Sequence, residues 1–203
     1  MKFKTDSGPT YKAPEGTHIA RCVWVVDLGT QIGDFNGEPW SRPQVLITWE
    51  LPAELIDDPG TKYHEQPHLV SRTFTRSLHE RSALNAWLRS WRSKSLSVEE
   101  KADPGTFIKK LVGAPGMITL AENEKGYVNA VAMAGLPKGT TAPAQITPSV
   151  FFDLDAPDMK AFEALPVWVQ DKIKKSPEYS VIKPQGQVNS YQDIAFDGDD
   201  IPF

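Results

Sequence analysis

Runs of β-branched and aromatic residues separated by Gly/Pro-rich stretches dominate the first third of the chain, and the period changes further on. Residues 16–28 (Gly-Thr-His-Ile-Ala-Arg-Cys-Val-Trp-Val-Val-Asp-Leu) predict a long first strand. In 44–51, Val45, Ile47, Trp49 and Leu51 alternate with Gln44, Leu46, Thr48 and Glu50, the two-residue period of a second strand. Residues 69–76 make a third. The stretch 29–43, punctuated by Gly29, Gly33, Gly37 and Pro39, and the stretch 52–67 read as long loops. Ser77 and Glu80 then have the spacing of a capping box, and Leu84, Trp87, Leu88 and Trp91 recur at helical spacing, so the pattern predicts a helix from Leu78 to about Arg92. Asp103-Pro104 opens a shorter helix that carries Phe107, Ile108, Leu111 and Val112 and ends at Gly113. Residues 117–121 and 127–134 are two more strands, joined through Asn123-Glu124-Lys125-Gly126.

Three strands, a helical insertion and two further strands follow the connectivity of the OB-fold, a five-stranded Greek-key barrel. An incomplete sandwich has the same strand count, but the helix between the third and fourth strands favours the barrel. The expected class is therefore mainly β, with residues 1–148 as the barrel domain. Residues 149–175 are expected to be a helical extension packing back on the barrel: a short apolar run at Val150-Phe151-Phe152, then two short helices broken at Pro166, with Trp168 and Ile173 as apolar contacts. Residues 176–203 are expected to form a disordered acidic tail.

Composition adds size and charge. A chain of 203 residues, 40% hydrophobic and 24% charged, can bury a core, and its 17 Pro and 14 Gly imply many loops. The formal charge of −4 looks wrong for a nucleic-acid binder. However, residues 185–203 hold four Asp and no Lys or Arg, which leaves the remainder balanced, and residues 60–112 carry ten Lys/Arg against five Asp/Glu. A local basic surface is thus expected beside an acidic tail. A lone Cys22 excludes a disulfide framework or thiolate metal site and fits a reducing cytoplasm. No signal peptide and no run of 18 apolar residues is visible, so a cytoplasmic protein with no membrane partner is expected.

The final eleven residues, Asp-Ile-Ala-Phe-Asp-Gly-Asp-Asp-Ile-Pro-Phe, have too little apolar surface to fold alone and present an extended, sticky tip. This ending resembles the C-terminal tip of bacterial and phage single-stranded-DNA-binding proteins. The resemblance implies that Asp199, Asp200, Ile201, Pro202 and Phe203 recruit replication and repair proteins. Together with the barrel, it implies a phage-type protein that coats single-stranded DNA in the host cytoplasm during replication or recombination. The body is longer than in familiar bacterial members and the tether to the tip is short and poor in Gly and Pro.

Candidate DNA contacts follow from residue type and period. In Ser71-Arg72-Thr73-Phe74-Thr75-Arg76 the strand period puts Arg72, Phe74 and Arg76 on one face. Such a row suits a base stacked on a ring between two phosphate-binding guanidiniums. The same Phe74 can instead point into the core with the arginines at the barrel ends. Arg21 and Thr48 are placed to continue the face. Phe35, Trp40 and Arg42 in the first loop, and Lys62 and Tyr63 in the second, are candidate clamps. Trp24 and Trp49 can be core or stacking platforms, whereas Trp87 and Trp91 belong to a buried helix stripe. No catalytic motif or phosphate-binding loop is visible, and His64 and His68 read as an accidental pair, so neither enzyme activity, cofactor nor metal is expected. An adaptor that only mimics the tail of a host single-stranded-DNA-binding protein is the alternative.

Overall fold

A computed structural model describes residues 12–182; the N-terminal lead-in and the tail with its tip residues Asp199, Asp200, Ile201, Pro202 and Phe203 lie outside the described residues. The chain is mainly β. Two long strands, β1 (Gly16–Phe35) and β2 (Glu38–Leu55), are followed by β3 (Pro67–Thr75). Three short helices come next: α1 (Ala83–Arg92), α2 (Val98–Ala102) and α3 (Pro104–Lys109). After β4 (Pro115–Glu122), β5 (Val128–Ala134) and β6 (Val150–Phe152) come α4 (Met159–Glu163), α5 (Val167–Lys174) and α6 (Pro177–Ile182). Five strands form an antiparallel path in the order β3-β2-β1-β4-β5, and β6 pairs in parallel with β1 at Trp24 to Val26. The sheet does not close. The edge strands β3 and β5 have no ladder between them, and the Arg72 guanidinium reaches across to donate to the Ala130 carbonyl at 2.7 Å.

The middle of β1 is buried on both faces, which explains why residues 22–26 read as a continuous apolar run rather than an alternating one. A register shift between Cys22 and Trp24 re-aims its side chains. Ala20, Cys22 and Val25 face an inner core with Trp49, Phe74, Trp87 and Trp91. Val23, Trp24, Val26 and Leu28 face a second core built by β6 and the C-terminal helices, where Phe152, Phe162 and Tyr179 rings follow one another at 5.6 and 5.4 Å. Trp24 and Trp49 are therefore core residues, not platforms.

Three local expectations are corrected. The helix over Leu84 to Trp91 starts later than Ser77: its N-cap is Ser82, whose hydroxyl accepts the Asn85 amide hydrogen, while Ser77 only caps the turn into His79. The true capping box is Ser97 with Glu100, at the start of α2. The expected loop 29–43 is instead a two-stranded arm in which β1 and β2 stay paired out to Phe35 and Glu38. Its tip is Asn36-Gly37, both with positive φ (55° and 82°), the backbone that a two-residue turn matching strand twist requires. Finally, residues 176–182 are not part of a disordered tail. Ser176 caps α6, Tyr179 is buried, and Glu178 accepts from the Thr30 amide at 2.9 Å and hydroxyl at 2.5 Å.

Candidate nucleic-acid interface

Paired residues of an antiparallel ladder share a face, as do alternate residues along each strand. The arm register couples Gln31 with Arg42, Gly33 with Trp40 and Phe35 with Glu38, so one face of the arm carries Phe35, Trp40 and Arg42 together. Glycine makes this face possible: a Cβ at Gly33 would fall 2.4 Å from the Trp40 ring, so the indole lies flat across a strand that has no side chain there. The Arg42 guanidinium sits 6.0 Å from the Trp40 ring centroid. Phe35, beside the turn, is 71% exposed. Two rings and a guanidinium in a row on an exposed ladder can stack bases and hold phosphates without reading sequence. Asn36-Gly37 between alternating residues was the available signal for the arm, and the Gly/Pro content around it masked the pairing.

The third strand does something else. Arg72 and Phe74 share a face, but it is turned inward, and Arg76, just beyond the end of β3, lies at the rim. Phe74 is 3% exposed and packs on Trp87 at 5.6 Å between centroids, so the stacking role is withdrawn in favour of the core role. Arg72 lies over Trp87 at 4.5 Å and Phe74 at 5.2 Å while bonding Ala130 across the open seam, and burial pushes its pKa down. It staples the sheet edges. Arg76 pairs with the buried carboxylate of Asp27 at the rim of a 580 Å³ cleft with Val25, Val45, Leu84, Ile108 and Phe151 in its walls. Asp153 and Asp155 line the same cleft, which is a poor place for phosphate.

Arg21 is also a structural group. Its three nitrogens donate to Pro143 (2.6 Å), Gly113 (3.0 Å) and Ala142 (3.3 Å) carbonyls. Its cross-strand partner Glu50, fully buried, accepts the amides of Ile146 and Thr147 at 2.9 and 2.7 Å. The pair thereby straps the segment between β5 and β6 over the outer face of β2. Thr48, on that covered face, is fully buried with its hydroxyl 2.8 Å from Ser71. Lys62, 5.0 Å over the Tyr63 ring, lies in the loop after β2, separated from the arm tip by roughly 50 Å of strand path. Of the nine residues expected at the interface, the fold gathers Phe35, Trp40 and Arg42, and it assigns Arg21, Arg72, Phe74 and Arg76 to the framework.

A test of the Arg76 assignment follows from Asp27. Burial raises the Asp27 pKa, while the Gly29 amide and Arg76 pull it back, so the folded chain holds this proton to higher pH than the unfolded chain. That contribution favours folding at low pH and is lost as pH rises through the folded pKa. Arg76→Ala removes the cation and is expected to lower stability by about 1–3 kcal/mol at neutral pH. The loss should shrink as acid protonates Asp27. Urea unfolding at pH ~7 and pH ~4.5 checks this; an equal loss at both would show that the pair does not govern the site.

Among the described residues no helix is long and apolar enough to cross a membrane, and no three His, Cys, Asp or Glu side chains come together as a metal site. Comparison with protein-family models, with curated proteins and with solved structures finds no match.

Proposed function

We propose that this protein coats single-stranded DNA without sequence preference, with an OB-type barrel left open between β3 and β5 and a hairpin arm as its binding element. The observation that carries the reading is the common face of Phe35, Trp40 and Arg42 on the exposed arm, with Gly33 as the bed for the indole. The strand order β3-β2-β1-β4-β5, with the helices between β3 and β4, is that of an OB barrel opened at one seam, which supports the class. Stacking on rings is sequence-tolerant because every base has a π-face. The tail then serves as the recruitment handle for replication and repair proteins.

Titration with oligo(dT), read by tryptophan fluorescence, tests this. Of the six tryptophans, Trp24, Trp49, Trp87 and Trp91 are buried, so quenching reports on Trp40 and Trp168. The expected result is quenching that weakens with salt, with log affinity falling against log salt by roughly 0.7 per phosphate contacted. An absence of binding at low salt would leave the tail-mimicking adaptor as the better reading.

The tail adds a second expectation. Four Asp tethered to the domain are held at high effective concentration near Arg42 of the arm and should compete with DNA as an internal mimic of phosphate. Deleting residues 193–203 is expected to raise oligo(dT) affinity at low salt, by an amount that shrinks as salt screens the attraction, and to abolish partner recruitment. Equal affinity of the two proteins at low salt would make the tail a recruitment handle only.

A further inference from the structure

The arm is not free along its whole length, because α5 docks at its foot. The Gln31 side-chain amide donates to the carbonyls of Leu28 (2.7 Å) and Lys172 (3.1 Å), fixing the last turn of α5 beside the strand position whose ladder partner is Arg42. Helical spacing divides the α5 surface into three stripes. Val169 and Ile173 are buried in the second core. Gln170 and Lys174 face α4: the Gln170 amide donates to Leu165 at 2.8 Å, and the Lys174 ammonium lies 5.8 Å from the Phe162 ring. The remaining flank, Trp168, Asp171, Lys172 and Lys175, at positions i, i+3, i+4 and i+7, is turned away from the core and from α4, and the Lys172 carbonyl is the group that Gln31 reaches.

That flank has the same chemistry as the arm face. Trp168 is 47% exposed rather than the apolar contact its sequence suggested, and the Lys172 ammonium sits 5.6 Å from its ring. Asp171 shares this flank, three residues after Trp168 and four before Lys175, but its carboxylate pairs with Lys174 at 3.7 Å, so the flank keeps two cations, Lys172 and Lys175, against one already paired acid. The one acid on the arm face, Glu38, is at the tip, the end farthest from α5. From Phe35 through Trp40 and Arg42 to Lys172 and Trp168, rings and cations therefore follow one another over about 20 Å, counting strand and helix rises.

From this juxtaposition we infer that the nucleic-acid path continues from the arm onto the outer flank of α5, so that the C-terminal helical extension, and not the barrel alone, binds single-stranded DNA. The inference rests on the proposed arm site and extends it to a second stacking platform at Trp168 with phosphate contacts at Lys172 and Lys175. A short strand fills the arm only; a longer one reaches α5.

Binding of the full chain to labelled oligo(dT) of about 4, 8, 12 and 16 nucleotides, the range of site sizes for such domains, tests it. Trp168→Ala and Lys172→Glu should each weaken the longer oligonucleotides about tenfold and leave the shortest unchanged. Lys174→Glu, the same charge change on the α4 flank, should have a much smaller effect. A Trp40→Phe variant leaves Trp168 as the exposed indole, so its fluorescence should be quenched by long but not by the shortest oligonucleotides, a readout that does not depend on altering α5. Wild-type affinity of the Trp168 and Lys172 variants at every length, or an equal loss from Lys174→Glu, overturns the α5 path while the arm site stands. If the unaltered protein binds no oligonucleotide, it is the proposed function itself that fails.

Discussion

Phe74→Ala is expected to remove about 3–5 kcal/mol of folding stability, the usual cost of deleting a buried aromatic ring, while the folded fraction keeps its affinity for oligo(dT). The ring is 3% exposed, touches Trp87 and supports Arg72, whose guanidinium bridges β3 to β5. Truncation leaves a cavity beside Trp87 and takes away the surface on which the guanidinium rests. Because the seam has no backbone ladder, the site has little else to compensate with. Urea unfolding, followed by near-ultraviolet circular dichroism of the tryptophan cluster, gives the stability change. A folded variant of unchanged stability with weakened DNA binding would falsify the core assignment and return Phe74 to the interface.

Trp40→Ala is expected to act the other way round, weakening oligo(dT) binding by about 1–3 kcal/mol, roughly 5- to 150-fold, with stability nearly unaltered. The indole lies over the bare backbone of Gly33 on an exposed ladder and belongs to neither core cluster of the described residues. Gly33→Val should reproduce much of the loss without touching the tryptophan, since any Cβ there collides with the ring and lifts it off the strand. Arg42→Ala should in addition lower the salt slope by roughly 0.7, one phosphate contact. Fluorescence anisotropy of a labelled oligonucleotide at two salt concentrations separates these effects. Wild-type affinity in both Trp40→Ala and Gly33→Val would remove the arm from the interface and with it the main support for the proposed function.

Much of the element order was legible because local physics sets it. Alternation in 44–51, the helical stripe Leu84, Trp87, Leu88 and Trp91, the Asp103-Pro104 helix start and the break at Pro166 all appear where the residues place them. The arm was missed because glycine is ambiguous in a strand. Gly29 and Gly33 look like loop punctuation, yet each is there for close approach: a Cβ at Gly29 would meet Ser176 at 2.5 Å, and one at Gly33 would meet Trp40. The helix start was misplaced because Ser77 and Ser82 are both acceptable caps, and Asn85 bonding back to Leu78 decides for the later one.

The sequence alone determined the periods, hence which residues of a strand share a face, and the charge separation between body and tail. It could not say which face was the inside. Arg72 and Phe74 were correctly grouped, and their inward placement depends on Trp87, which lies on another element and packs against both from within. Arg21 likewise reads as a face residue free for a phosphate until the segment between β5 and β6 is laid over it and, with the Gly113 carbonyl, takes its hydrogen bonds. A side chain's period is local, set by the backbone it sits on. Its exposure is not, because whatever covers it comes from a distant part of the chain, and only the packed structure decides which arginine remains available to a phosphate.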